Sequence, residues 1–566
     1  MAQKILIIGG VAGGASAAAR LRRHSEDDQI IMFEKGPHVS FSNCSLPYFL
    51  SGTVAKAEGL VLMSPEKFLK QFNITARANS EVVSINRPAK TVTVKNLTDG
   101  SSYQESYDKL ILSPGAKPIV PPIPGLELVN VHTVRNVVDI TRLKQNISEI
   151  NPQNIAVIGG GFIGVEVAEN LKEAGYNVAL IEAMPQIMRP FDYEMVQILH
   201  KELYDHGIDL RVGDKVESFS HNQVNLGSGK TVAADVVVMA IGVAPETDLA
   251  KSADLQLGKT GAIATDNNFR TNDPDIYAIG DAIEVYGALF NDKFKLALAG
   301  PAQKQARSVA DHINGMAVNN QGYIGSSCIK VFDFNAASTG LTEGFIQATG
   351  MKLDYGVVHI TPNDKVSLMP TNKTMHFKLI FEKPTGRILG AQAIGKGNVD
   401  KRIDVIATVI KFNGKVSDLV DLELCYAPPF GTAKDVVNMA GYVAGNLLND
   451  DFEQVRVTQV RELVESGAHI LDVREAPELA KGRIIGSQHI PLSELRARID
   501  EIPRDKPVYI HCRTGQRSYN VVKALKNRGF NNVYNVAASF LGLSYYEYFN
   551  DITLGRKPIV TDYNFN

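Results

Sequence analysis

The sequence predicts an α/β chain of several domains, and three observations carry that prediction. Short apolar runs of buried-strand type alternate with helical patterns. Segments 4–35 and 154–183 repeat one design, a strand, a glycine-rich turn, an alanine-rich helix, a second strand and an acidic residue. The length of 566 residues is more than a single hydrophobic core holds. Lys and Arg number 59 against 61 Asp and Glu, a net charge of −2, which argues against a nucleic-acid or membrane-surface binder. The four cysteines, Cys44, Cys328, Cys425 and Cys512, form no C-x-x-C pair, so no metal cluster or disulfide framework is expected. A reducing, cytoplasmic setting follows, and the N-terminus, lacking a charged region before a long apolar stretch, predicts neither signal peptide nor membrane span.

In chain order, the predicted parallel strands are Ile5–Ile8, Ile30–Phe33, Leu110–Leu112, Ile155–Ile158, Val178–Ile181, Val236–Ala240 and Ile276–Ile279. From about residue 325 the texture changes to hairpins, Met375–Glu382 and Ile388–Ala393, then a helix around Lys401–Phe412, which reads as an α+β domain. The polar, acidic stretch Asn446–Phe452 reads as a linker. Beyond it a separate α/β domain is expected, with strands Ile470–Val473, Val508–Ile510 and Asn532–Val536.

The second βαβ unit carries Gly159-Gly160-Gly161-Phe162-Ile163-Gly164, a complete G-x-G-x-x-G between strand and helix. Gly159, Gly161 and Gly164 allow a tight turn and close backbone approach, and the helix N-terminus offers free N–H groups to a pyrophosphate. Glu182, at the end of the next strand, is placed to bind an adenosine ribose and would repel a 2′-phosphate, which favours NADH over NADPH. The first unit reads Gly9-Gly10-Val11-Ala12-Gly13-Gly14, with Val11 at the middle glycine position and Glu34 as ribose partner. Alone it also admits the reading of an ordinary glycine-tolerant turn. Two strand ends support a second nucleotide, Ser113-Pro114-Gly115-Ala116 and the run ending Gly280-Asp281-Ala282, where Asp281 would hold a ribitol hydroxyl and a following helix would face the diphosphate. Two dinucleotide sites in one chain imply hydride transfer from NADH to FAD.

With these motifs, residues 1–445 resemble the pyridine nucleotide–disulfide oxidoreductase superfamily, and within it the coenzyme A-disulfide reductase branch. The likeness rests on the first glycine turn, Ser40-Phe41-Ser42-Asn43-Cys44-Ser45-Leu46-Pro47-Tyr48, Leu298-Ala299-Gly300-Pro301-Ala302, Asp400-Lys401-Arg402-Ile403-Asp404 and Tyr426-Ala427-Pro428-Pro429. It implies two Rossmann-like nucleotide domains, for FAD (1–120 and 251–324) and NADH (121–250), and an α+β dimerisation domain (325–446) making a homodimer. Cofactor contacts implied by it include Gly9, Val11, Ala12, Gly14, Pro114, Gly115, Gly280, Asp281, Gly300 and Pro301, with Ile163 and Gly242 on the nicotinamide side. Phe162 matches the aromatic that lies over the flavin when nicotinamide is absent.

Cys44 stands just before Pro47, a residue suited to the first turn of a helix whose dipole would lower the thiol pKa. The resemblance makes it the redox nucleophile. The branch with an internal redox pair has Cys-x4-Cys, whereas Phe49 stands five after Cys44. One cysteine must therefore cycle through a mixed disulfide, a persulfide or a sulfenic acid, and the competing substrates are CoA disulfide, CoA persulfide, polysulfide and peroxide. Ser16, Arg20, Arg23, Ser40, Asn43, Gln303 and Lys434 match family positions around bound coenzyme A. Where the family carries Tyr-Tyr-Pro this chain reads Leu368-Met369-Pro370, while Tyr426, which crosses the dimer, is kept. Loss of that phenol favours a better leaving group than a CoA thiolate, hence persulfide chemistry.

In the C-terminal block, His511-Cys512-Arg513-Thr514-Gly515-Gln516-Arg517-Ser518 follows a strand and opens a helix. Backbone N–H groups there form an anion cradle, and Arg513 and Arg517 add positive charge for an anionic donor. A phosphatase-like loop has Cys-x5-Arg, whereas the count here is Cys-x4-Arg. Residues 453–550 resemble single-domain rhodaneses through Leu471–Glu475, Gly482–Leu492 and Gly529-Phe530, implying an α/β rhodanese domain over 453–555 that carries sulfur on Cys512. Ala538-Ser539 replace the usual Gly-Gly. Cys328 and Cys425 are expected to be buried structural thiols. The expected activity is NADH-driven, FAD-dependent reduction of CoA persulfide or polysulfide to thiol and hydrogen sulfide, with Cys512 relaying sulfur to Cys44. The alternatives are CoA-disulfide reduction, NADH oxidase or peroxidase activity, and a non-enzymatic redox or sulfur-carrier sensor.

Overall fold

The structure, a computed structural model, describes residues 2–565. It divides into two compact units, residues up to Pro185 with Arg211–Tyr323, and Gln186–Leu210 with the chain from Ile324 onward.

The first unit holds two five-stranded parallel sheets. In one, Lys4–Ile8 lies between Lys109–Leu112 and Gln29–Phe33, with Ile276–Ala278 and Thr75–Arg77 outermost. In the other, Asn154–Ile158 lies between Asn177–Glu182 and Val236–Met239, with Asp209–Val212 and Val131–Thr133 outermost. The central strands are buried on both faces, which is why they read as continuous apolar runs rather than alternating ones. Each sheet's first strand leads through its glycine turn into a helix, Ala12–His24 or Phe162–Glu173.

In the second unit an antiparallel sheet runs Ser326–Val331, Phe334–Gly340, Ile388–Gly395, Met375–Glu382, Tyr355–Ile360. The C-terminal sheet is parallel, ordered Glu453–Val455, Val533–Val536, Val508–His511, His469–Asp472, Gln488–His489. The helix Tyr193–Asp205 belongs to this unit and packs against the helix Ser539–Leu554. No motif in the sequence signals that allegiance. Its cause is a buried charge cluster: Lys378 Nζ, fully buried, meets Asp192 at 2.7 Å, Glu343 at 2.6 Å and also Glu194. Burial alone would lower the Lys378 pKa, but the three carboxylates raise it. Glu343 also pairs with Arg456 at the start of the C-terminal domain.

The expected linker Asn446–Phe452 is packed rather than loose. Asp451 accepts from Tyr519 and pairs with Lys523, and Phe452 is buried in the C-terminal core. Its polar residues are used by specific partners, which composition alone does not reveal. Among the described residues no helix is long and apolar enough to cross a membrane.

Candidate active sites

The two glycine turns are built alike. A Cβ on Gly14 would lie 1.8 Å from the Gly9 carbonyl oxygen, and one on Gly164 equally close to that of Gly159. Gly9 and Gly159 have φ of 97° and 112°, which L side chains rarely adopt. These four glycines are therefore required by the turns themselves. Gly161 differs, because a Cβ there would meet nothing within 4 Å. Its missing side chain leaves open space beside the helix N-terminus, whose free N–H groups face it. Each acidic residue closes its own turn: Glu34 accepts from the N–H groups of Gly10 (2.9 Å) and Gly36 (2.8 Å), and Glu182 from those of Gly160 (2.7 Å) and Met184 (2.8 Å).

At the strand ends, Gly115 and Gly280 have φ of 76° and 77°. Asp281 pairs with Arg135 at 3.2 Å, and a Cβ on Gly115 would lie 2.8 Å from the same guanidinium. Arg135 and the buried Gln305, whose Oε1 accepts from the Gly280 N–H at 2.7 Å, were not signalled by any motif. The helix expected directly after Asp281 is a single 3-10 turn, Gly280–Ala282; two short strands follow, and the helix bearing Gly300, Pro301 and Gln303 begins only at Ala299. Gly242 has φ of 130°, and Ile163 follows Phe162 in the first turn of its helix.

Cys44 is solvent-exposed in the 3-10 turn Asn43–Ser45, followed by a second such turn, Pro47–Phe49. The expected helix is replaced by these short 3-10 turns, which carry no appreciable macrodipole. Its thiol is correspondingly not lowered. Although the residue is exposed at the surface, the protein packed around its thiol partly desolvates it and pushes its pKa up; the carboxylates of Glu166 and Asp281 push the same way, and Arg135 opposes them. Glu166, on the helix after the second glycine turn, is itself pushed up to about 7 by burial and by Glu169.

Ser16, Arg20 and Arg23 recur on the helix Ala12–His24, but Arg20 pairs with Asp311 at 2.6 Å, and His24 reaches the same carboxylate. Arg23 and Gln303 are exposed and Asn43 is half-buried. Ser40 takes a left-handed backbone, φ 49°. Tyr426, 49% exposed, and the exposed Lys434 lie in the second unit, as does Leu368, 88% exposed. Cys328 and Cys425 are exposed, correcting the expectation of buried thiols. An edge strand and an irregular segment carry them, and neither position is recognisable from residue type.

Cys512 is fully buried at the end of strand Val508–His511. Its Sγ accepts from the Gly515 N–H at 3.1 Å and from the Ser518 hydroxyl at 3.6 Å, so the expected donor ring is present in part. The expected excess of positive charge is reduced, because Arg517 is held by Glu478 through two bonds of 2.7 Å. Burial lowers the pKa of Arg513.

Comparison with known proteins agrees with this architecture. The chain matches the pyridine nucleotide-disulphide oxidoreductase family over residues 3–306, its dimerisation domain over 326–436 and a rhodanese-like domain over 456–544. A coenzyme A disulfide reductase of Staphylococcus epidermidis is 33% identical over 447 residues, 78% of this chain and 99% of that protein. The crystal structure of reduced Bacillus anthracis CoADR-RHD is 46% identical with a TM-score of 0.93, covering 96% of this chain and 98% of that one. A NAD-dependent persulfide reductase from A. fulgidus is 35% identical with a TM-score of 0.90, covering 95% and 99%. With two glycine-turn sheets, an antiparallel dimerisation sheet and a cysteine-bearing C-terminal sheet in this order, the chain belongs to the pyridine nucleotide-disulphide oxidoreductase family, as a flavoprotein reductase that ends in a rhodanese-like domain.

Proposed function

We propose that the chain reduces coenzyme A persulfide and related sulfane sulfur at the expense of NADH, releasing thiol and hydrogen sulfide. The observation that carries this reading is the pairing in one chain of a lone exposed Cys44 with a cradled Cys512. The open face at Gly161 and the turns closed by Glu34 and Glu182 would hold NADH and FAD. Bound flavin would supply Cys44 with the electron pair that NADH delivers as hydride.

The remaining steps belong to side chains. The Cys44 thiolate attacks the CoA-bound sulfur of CoA–S–SH, giving a Cys44–S–S–CoA disulfide and hydrosulfide. Two electrons and a proton then return CoA–SH and the Cys44 thiolate, so the sum is CoA–S–SH + NADH + H⁺ → CoA–SH + H₂S + NAD⁺. Glu166, near Cys44 and half-protonated around neutral pH, is suited to hold the proton that the departing sulfur takes up. Arg23, Asn43 and Gln303 would bind coenzyme A, and Tyr426 would come from a second copy of the chain. Cys512 would accept sulfane sulfur and pass it on as a low-molecular-weight persulfide.

CoA-disulfide reduction is the second reading, favoured by the identity to the staphylococcal protein. The test is stopped-flow mixing of NADH-reduced holoenzyme with CoA persulfide, CoA disulfide or peroxide. Fastest reoxidation by the persulfide is expected; fastest reoxidation by peroxide, or by none, overturns the proposal. A Cys512→Ser variant with unchanged turnover on polysulfide would remove the relay.

A further inference from the structure

After strand Val533–Val536, Ala538 and Ser539 both have left-handed backbones, φ 55° and 49°. Glycine adopts this conformation at no cost, and other residues seldom do. The chain nevertheless keeps a serine there, fully buried, and its hydroxyl is fully used. Ser539 Oγ accepts the N–H of Cys512 at 3.1 Å and donates to the Val536 carbonyl at 3.0 Å. It also lies 3.5 Å from the Ser518 hydroxyl, which reaches the Cys512 sulfur.

We infer that Ser539 is a positioning residue for sulfur transfer at Cys512, fixing the cysteine backbone so that Sγ stays within reach of the Gly515 N–H and the Ser518 hydroxyl. This inference rests on the reading of Cys512 as a sulfur carrier. Without the Ser539 hydroxyl the Cys512 N–H has no acceptor in a buried place, and the loop is free to turn that donor elsewhere. The sulfur then loses a fixed relation to donors that stabilise both a thiolate and the Cys–S–S⁻ anion.

Thiosulfate is a suitable probe. The Cys512 thiolate attacks its outer sulfur, the S–S bond of thiosulfate breaks, and the step Cys512–S⁻ + SSO₃²⁻ → Cys512–S–S⁻ + SO₃²⁻ balances without an external oxidant. Cyanide then removes the outer sulfur as thiocyanate and restores the thiolate.

The experiment compares full-length parent, Ser539→Gly and Ala538→Gly in thiocyanate formation, mass of the persulfidated Cys512 peptide, pH profile of Cys512 alkylation and thermal melting. Ser539→Gly removes the hydroxyl and the backbone strain together. It is expected to melt no lower than the parent, yet to lose about tenfold in kcat with KM for thiosulfate changed far less, and to move the alkylation midpoint upward. Ala538→Gly relieves the neighbouring strain alone and is expected to keep parental activity. A Ser539→Gly protein with parental kcat and alkylation profile overturns the inference, as does a loss of activity that only accompanies a lower melting temperature. A parent that forms no persulfide on Cys512 overturns the sulfur-carrier reading instead, while the alkylation profile still decides the role of Ser539.

Discussion

Arg517 and Glu478 lie fork to fork, with two N–H···O bonds of 2.7 Å, so the guanidinium nearest the Cys512 cradle is already partnered. Removing the carboxylate should release that charge to an incoming anion. Glu478→Gln is therefore expected to lower KM for thiosulfate several-fold and to steepen its dependence on salt; steady-state thiocyanate formation at two ionic strengths checks both.

Glu166 gives a pH signature with a definite sign. Its folded-state pKa of about 7 lies above the ordinary 4.5, so the folded chain holds the proton more tightly, and this contribution to stability is lost as pH rises between those values. Glu166→Gln should match the parent at pH 4 and exceed it by about 3 kcal/mol at pH 8, measured by denaturant unfolding. The same change removes a negative charge that raises the Cys44 pKa, so alkylation of Cys44 should reach its midpoint at lower pH.

The two kinds of glycine should respond differently to a methyl group. Gly164→Ala forces Cβ into the Gly159 carbonyl and is expected to unfold the second nucleotide sheet or depress its melting sharply. Gly161→Ala meets no protein atom and should leave melting unchanged, while raising KM for NADH about tenfold or more. Circular dichroism melts beside NADH titrations separate them.

Leu368 protrudes 88% exposed where the family resemblance places a tyrosine, so a phenol there costs little packing. Leu368→Tyr is expected to raise turnover with CoA disulfide several-fold and leave CoA persulfide turnover nearly unchanged, because only the poorer leaving group needs the added donor. The ratio of the two kcat/KM values is the readout.

Lys378→Met leaves Asp192, Glu194 and Glu343 facing one another in a buried place. Breaking such a cluster by removing one partner costs about 3–5 kcal/mol. Loss of cooperative unfolding in the second unit, followed by urea titration, is the expected result.

The strands, both glycine turns with their acids, and the two lone cysteines were legible from residue types alone, since apolar runs, turn glycines and isolated thiols are local features. Legibility stopped where a property depends on residues far apart in the chain. Pro47 suits a helix, yet the backbone after Cys44 makes only single turns, and the packing around the thiol, together with distant Glu166 and Asp281, raises its pKa. Arg20 and Arg517 read as free cations, but Asp311 and Glu478 claim them across 291 and 39 residues. The helix Tyr193–Asp205 joins the second unit because Asp192, just before it, and Glu194, in its first turn, meet Lys378, the latter across 184 positions. Sequence by itself thus determined the family and the order of its sheets. The tertiary structure decided the electrostatic surroundings of the two lone cysteines, because the strength of a charge or hydrogen bond depends on distance and burial, which a linear pattern does not contain.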